Sequence, residues 1–209
     1  MKTILFQGDS ITDCGRNRED KRVGRGYSLF AASVLSCDFP GEYDIYNTGI
    51  SGNRIVDVYA RIKDDIINLK PDYMSILVGV NDVWHELERQ NGVSAEKYEK
   101  IYDMLLEEVL AELPDLRIAI MEPYVIHGTG SDPYYDEFRR EVELRAAAAR
   151  RLAEKYALPF IPLQSMFDEA VKKSGAPTHW CIDGVHPTHA GHQMIARAWL
   201  DTFEKISNP

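Results

Sequence analysis

Apolar residues along this chain follow two alternating patterns. Five short runs rich in β-branched and aromatic residues read as strands: Thr3 to Gln7, Asp44 to Asn47, Tyr73 to Val78, Arg117 to Met121, and Pro159 to Pro162. Elsewhere apolar residues recur every three or four positions, the spacing of amphipathic helices, over Tyr27 to Ser36, Arg54 to Leu69, Ala95 to Leu113, Tyr134 to Tyr156, and Thr188 to Ile206. Strands separated by segments this long are joined by crossovers and pair in parallel. The expectation is an α/β fold, a three-layer α/β/α sandwich around a five-stranded parallel sheet. Pro71 and Pro114 each close a helix, because proline cannot continue the helical ladder and pushes its predecessor into extended backbone. No linker, repeat or low-complexity tract interrupts the alternation, so residues 1–209 are expected to form one domain.

Charge narrows the partners. The 24 lysines and arginines against 33 aspartates and glutamates give a formal charge of −9, which repels phosphate backbones and anionic lipid, so neither a nucleic-acid nor a membrane partner is expected. No apolar run approaches the roughly eighteen residues a membrane span needs. The chain start passes directly into polar Gly8-Asp9-Ser10, and neither signal peptide nor anchor is expected. Cys14, Cys37 and Cys181 form no paired motif and read as reduced thiols in a cytoplasmic protein.

In an open parallel sheet, ligands gather beyond the carboxyl ends of the strands. Four loops there carry unusual chemistry. Gly8-Asp9-Ser10-Ile11-Thr12-Asp13 follows the first strand; Ser10 is either a nucleophile or, with Thr12, merely the cap of a helical turn. Gly49-Ile50-Ser51-Gly52-Asn53-Arg54 leads into a helix and leaves backbone N–H groups free to face an anion. Gly79-Val80-Asn81-Asp82 ends a buried strand in a side-chain amide that can donate into the same crevice or form a local turn. Asp183-Gly184-Val185-His186-Pro187 sets a carboxylate three residues before an imidazole, a spacing that lets Asp183 take the Nδ1 proton and leave Nε2 of His186 as a base. Together these supply the parts of acyl transfer: Ser10 as nucleophile, His186 as base, Asp183 to orient it, and the Ser10 and Gly52 amides with the Asn81 side chain as an oxyanion hole.

The four blocks, in this order over nearly the whole chain, resemble those of the SGNH/GDSL hydrolase family, with Ile11 where the family's name has leucine. Within it, Asp9-Ser10-Ile11-Thr12-Asp13-Cys14-Gly15-Arg16, Asn81-Asp82-Val83-Trp84 and His186-Pro187-Thr188-His189-Ala190-Gly191-His192 are most similar to intracellular acetyl-xylooligosaccharide esterases. The resemblance implies a flavodoxin-like sheet of order 2-1-3-4-5, no cofactor, a shallow site for acetyl esters of oligosaccharides, and a homo-oligomer. Trp84 and Trp180 then become candidates to stack on a sugar ring, with Tyr27 and Arg54 at the rim, or else ordinary packing residues. Asp9 is expected to hold the loop in shape.

Rival chemistries fit less well. Asp183, His186, His189 and His192 repeat at a metal ligand's spacing, but positions three apart rotate progressively around a helix and Pro187 separates the first from the rest, so no metal site is expected. An aspartate-nucleophile phosphotransferase lacks its second aspartate, since Ile11 occupies that place, and a Gly-x-Ser-x-Gly elbow at Ser51 fails on Asn53. A lysophospholipase or thioesterase, and a non-catalytic carbohydrate-binding protein of the same fold, stay open.

Overall fold

The computed structural model describes residues 1–207. Among them, five parallel strands run β1 (Lys2–Gly8), β2 (Tyr43–Asn47), β3 (Tyr73–Leu77), β4 (Arg117–Met121) and β5 (Phe160–Ile161), in spatial order β2-β1-β3-β4-β5. This is the expected flavodoxin-like order. Register is continuous across the centre, with Phe6 opposite Asn47 on one side and Ser75 on the other.

The helices are α1 (Ser10–Asp13), α2 (Tyr27–Asp38), α3 (Ile55–Ala60), α4 (Ile62–Asp65), α5 (Val80–Arg89), α6 (Ala95–Glu112), α7 (Tyr135–Lys155), α8 (Leu163–Ser174) and α9 (His189–Ser207). Strand pleating divides their cores. Ile4 and Phe6 of β1 point into a cluster with α2, α8 and α9, whereas Leu5 points into a cluster with α3, α6 and part of α7. Each buried side chain of this size contributes roughly 1.5–3 kcal/mol of transfer free energy. These two cores pack against opposite faces of the sheet.

Three expectations need correction. The segment from Arg54 to Leu69 is not one helix: the chain breaks at Arg61, whose guanidinium turns back to Thr48 O at 3.3 Å and Asn53 Oδ1 at 2.6 Å. Two helices were not expected. In α5 the motif Asn81-Asp82 lies within the first turn rather than in a loop, and in α8 the apolar stripe Leu163, Met166, Phe167, Val171 follows an edge strand of only two residues. No described helix is long and apolar enough to cross a membrane.

Candidate active site

The site grows from the four turns at the carboxyl edge of the sheet. Gly8 ends β1 where a side chain would strike Leu77 O at 2.3 Å, so only glycine lets β1 and β3 close up there. The next residue, Asp9, caps α1 by accepting the Ile11 N–H at 3.0 Å. The cap is therefore Asp9, and Ser10, the first residue of α1, keeps its hydroxyl free. Burial raises the Asp9 carboxyl to about 7, and its Oδ2 has no partner among the described residues. Asp9, a pocket candidate in the sequence, is therefore absent from the cleft lining, and its side chain is engaged in capping α1.

Ser10 Oγ stands 2.8 Å from His186 Nε2. On the far side of the ring, His186 Nδ1 is 2.7 Å from Asp183 Oδ2, while Asp183 Oδ1 accepts the backbone N–H groups of His186 at 2.8 Å and Val185 at 3.0 Å. The 183–186 turn requires Gly184, with φ +97°, where a side chain would also meet Ser131 Oγ at 2.2 Å. Partial burial pushes the Asp183 carboxyl up, but the hydrogen bonds from the His186 ring and the two backbone amides outweigh it and hold it down to about 2. The Asp183 hydrogen bond in turn raises His186 above the usual imidazole value, more than burial lowers it.

The same cleft, about 280 Å³, is lined by Ser10, Gly52, Asn81 and His186, and by Trp84, whose ring centre is 5.9 Å from that of His186. Ser10 N–H opens α1 and so has no intrahelical acceptor. Gly52 turns with φ +82°, a backbone conformation that side chains resist, and an added Cβ would meet nothing nearer than His85 at 3.9 Å. Asn81 Nδ2 spends one N–H on Asn53 O at 3.2 Å, leaving a second for a ligand.

Three further pocket candidates, Tyr27, Trp180 and Arg54, lie outside the cleft lining. Tyr27 is fully buried on Phe6, its hydroxyl paired with Thr12 Oγ1 at 3.0 Å, because the sheet face needs a large ring there. Trp180 donates Nε1 to Ser174 Oγ at 2.9 Å and lines a different groove with Met166 and Met194. Arg54 is engaged with Asp57 and with Asn91 O at 2.8 Å, outside the cleft lining. In their place α5 presents His85, Glu88 and Arg89, residues that sequence reasoning missed. A helix extended through Asn81 would have revealed them, since Trp84, His85 and Glu88 stand three, four and seven positions on. His192 diverges from His186: its Nδ1 accepts the Tyr27 N–H at 3.1 Å and its Nε2 is 3.5 Å from Cys14 Sγ.

Known proteins are similar to this chain in sequence and fold. Residues 6–194 match the model of the GDSL-like lipase/acylhydrolase family. An acetylxylan esterase from Geobacillus stearothermophilus is 35% identical over 205 residues, covering 94% of this chain and 91% of that one. Among solved structures, a protein from Parabacteroides merdae proposed as a GDSL-like lipase superposes with a TM-score of 0.89 at 37% identity, covering 97% of this chain and 95% of that one. A catalytic mutant of a Geobacillus stearothermophilus acetylxylan esterase gives a TM-score of 0.85 at 34% identity, covering 96% and 93%. Fold, site and relatives together define a carboxylic ester hydrolase of the α/β/α type. The chain belongs to the GDSL-like lipase/acylhydrolase family.

Proposed function

We propose that the protein hydrolyses short-chain O-acyl esters, above all O-acetyl groups on xylo-oligosaccharides or related sugars, through a Ser10–His186–Asp183 triad. The observation that carries this reading is the unbroken line from Ser10 Oγ through the His186 ring to Asp183, 2.8 Å and 2.7 Å long, opening onto the cleft. His186 takes the Ser10 proton as Oγ attacks the ester carbonyl, then returns it to the departing alkoxide; water repeats the sequence on the acyl-enzyme. Asp183 keeps the imidazole in the tautomer that leaves Nε2 open and stabilises the imidazolium that forms. The Ser10 and Gly52 amides and the Asn81 side chain receive the negative oxygen of each tetrahedral intermediate. No step calls for a cofactor.

Acetylated sugar as substrate is supported by the acetylxylan esterase relatives and by the cleft itself. A volume of about 280 Å³ with Glu88, Arg89 and His85 on its border suits a small acyl group carried on a hydroxylated alcohol. Trp84 offers the apolar surface on which a pyranose ring stacks. The test is hydrolysis of p-nitrophenyl acetate, butyrate and octanoate beside acetylated xylo-oligosaccharides. Acetate release that falls steeply with chain length is the expected result. A preference for octanoate would assign the site to lipid-type acyl esters, and turnover on no ester would leave only a sugar-binding role.

A further inference from the structure

Two buried carboxylates outside the triad face the loop that carries Gly52, one from each side. Asp13, at the end of α1, accepts the Ser51 N–H at 2.9 Å and the Ser51 hydroxyl at 3.2 Å through Oδ2. Asp82, in the first turn of α5, accepts the Ile55 N–H at 3.1 Å and 3.2 Å through its two oxygens. Gly52 hangs between these anchor points. Asp13 is 3% exposed and pairs through the same Oδ2 with the exposed Arg18 at 3.0 Å, whereas Asp82 is fully buried and makes no ion pair among the described residues. A buried carboxylate is costly to keep unless its hydrogen bonds matter, and an apolar residue would fill the same space without that cost.

The placement of the two anchors is informative. Asp13 belongs to the helix that Ser10 opens; Asp82 adjoins Asn81, whose amide also grips this loop at Asn53 O. We infer that Asp13 and Asp82 are positioning residues that fix the Gly52 N–H relative to the Ser10 N–H and the Asn81 amide, so that three donors from three separate segments meet at one oxygen. This inference rests on the oxyanion-hole reading given above. Its physical basis is that a donor stabilises a developing oxyanion only when held at hydrogen-bond distance before the charge appears, whereas a loop free to move must reorganise at the moment of reaction. Gly52, with positive φ and no side chain, has no contacts of its own to hold it and depends on its neighbours.

The experiment compares Asp82→Leu and Asp13→Leu, which keep the branched side-chain skeleton and remove the acceptor, with Asp82→Asn and Asp13→Asn, which keep one acceptor oxygen. Kinetics on p-nitrophenyl acetate are measured alongside Ser10→Ala. The leucine variants are expected to lose about ten- to a hundredfold in kcat, part of the loss that removing a whole donor brings, with KM changed less than about threefold. The asparagine variants are expected to stay within about threefold of the parent kcat, since a neutral acceptor still holds the amide. In proteins labelled with [15N]glycine, the Gly52 amide signal, identified by its disappearance in Gly52→Ala, should move in the leucine variants and stay near its parent position in the asparagine ones. Leucine variants with parental kcat overturn the inference, as does an unmoved Gly52 signal. Should the leucine variants not fold, the asparagine pair decides: a loss in kcat well beyond threefold overturns it. If Asn81→Ala, measured in the same series, retains parental kcat, the oxyanion-hole reading itself fails; if Asn81→Ala loses activity while the leucine variants keep it, that reading stands and the positioning role falls.

Discussion

Asp183 holds His186 at two points, Oδ1 on its backbone N–H at 2.8 Å and Oδ2 at its Nδ1, 2.7 Å away. One carboxylate thereby fixes both the position of the residue and the orientation of its ring, leaving Nε2 directed at Ser10.

The pH dependence of activity follows from that arrangement. Only the neutral imidazole accepts a proton, and Asp183 raises His186 above the ordinary 6.5. The acid limb of kcat/KM should therefore inflect above that value, with activity rising toward alkaline pH. In Asp183→Asn the raising carboxylate is gone while burial still acts, so the inflection moves down even as the plateau drops by about 10⁴-fold through loss of the correct tautomer. Paired pH–rate profiles check this; an inflection that does not move would remove Asp183 from the site.

Ser10→Ala should abolish turnover, a loss of at least about 10⁴-fold. Because Asp9 rather than Ser10 caps α1, thermal stability should change little, with Tm within about 2 °C of the parent. Residual esterase activity at parental level would place the nucleophile elsewhere.

Asn81→Ala and Gly52→Ala separate two contributions to one hole. Asn81→Ala removes a donor and should cost about 10²- to 10³-fold in kcat. Gly52→Ala has room for its methyl but forces a positive φ on alanine, a strain of about 1–2 kcal/mol that appears in stability as well as in turnover. Denaturant unfolding beside kinetics distinguishes them: equal stability loss in both variants would contradict this division.

His192 accounts for one part of the acid sensitivity. Burial lowers its imidazole to about 4, so between pH 6.5 and that value the unfolded chain binds a proton that the folded one refuses, and folding stability drops as pH falls. The slope contributed is at most about 1.4 kcal/mol per pH unit. Asp9, raised to about 7, acts in the opposite sense over much of the same window, because its folded carboxyl retains a proton that the unfolded one has released. The difference between the parent and His192→Gln isolates the histidine: the parent's relative stability should decline from pH 6.5 to 4, measured by urea unfolding at several pH values. A difference that is flat with pH would refute it.

Much of this architecture was legible in the chain. The buried strands β1, β3 and β4 betray themselves by short runs rich in apolar residues, and Ser10, Gly52, Asn81 and His186 each follow a strand or precede a helix, where short motifs carry most information. What escaped were features that depend on tertiary partners. Arg61 breaks an apolar repeat that is locally helical, because Thr48 and Asn53 offer it acceptors that only the folded loop provides. Tyr27 looks like a rim aromatic in sequence, yet the face of β1 draws it inward onto Phe6. Trp180 sits close to Asp183 along the chain, but its indole N–H finds Ser174 on the other side of the turn.

The hydrogen bond between Ser10 and His186 spans 176 positions of the chain. Such a contact closes only after the intervening sheet has paired and both helical layers have docked, since loop closure over so long a span gains nothing until the segments between are ordered. Ester hydrolysis is thus also a clock for the last stage of assembly: during refolding, helical signal and tryptophan burial should recover ahead of turnover, and the interval between them measures how long the two ends of the fold take to meet.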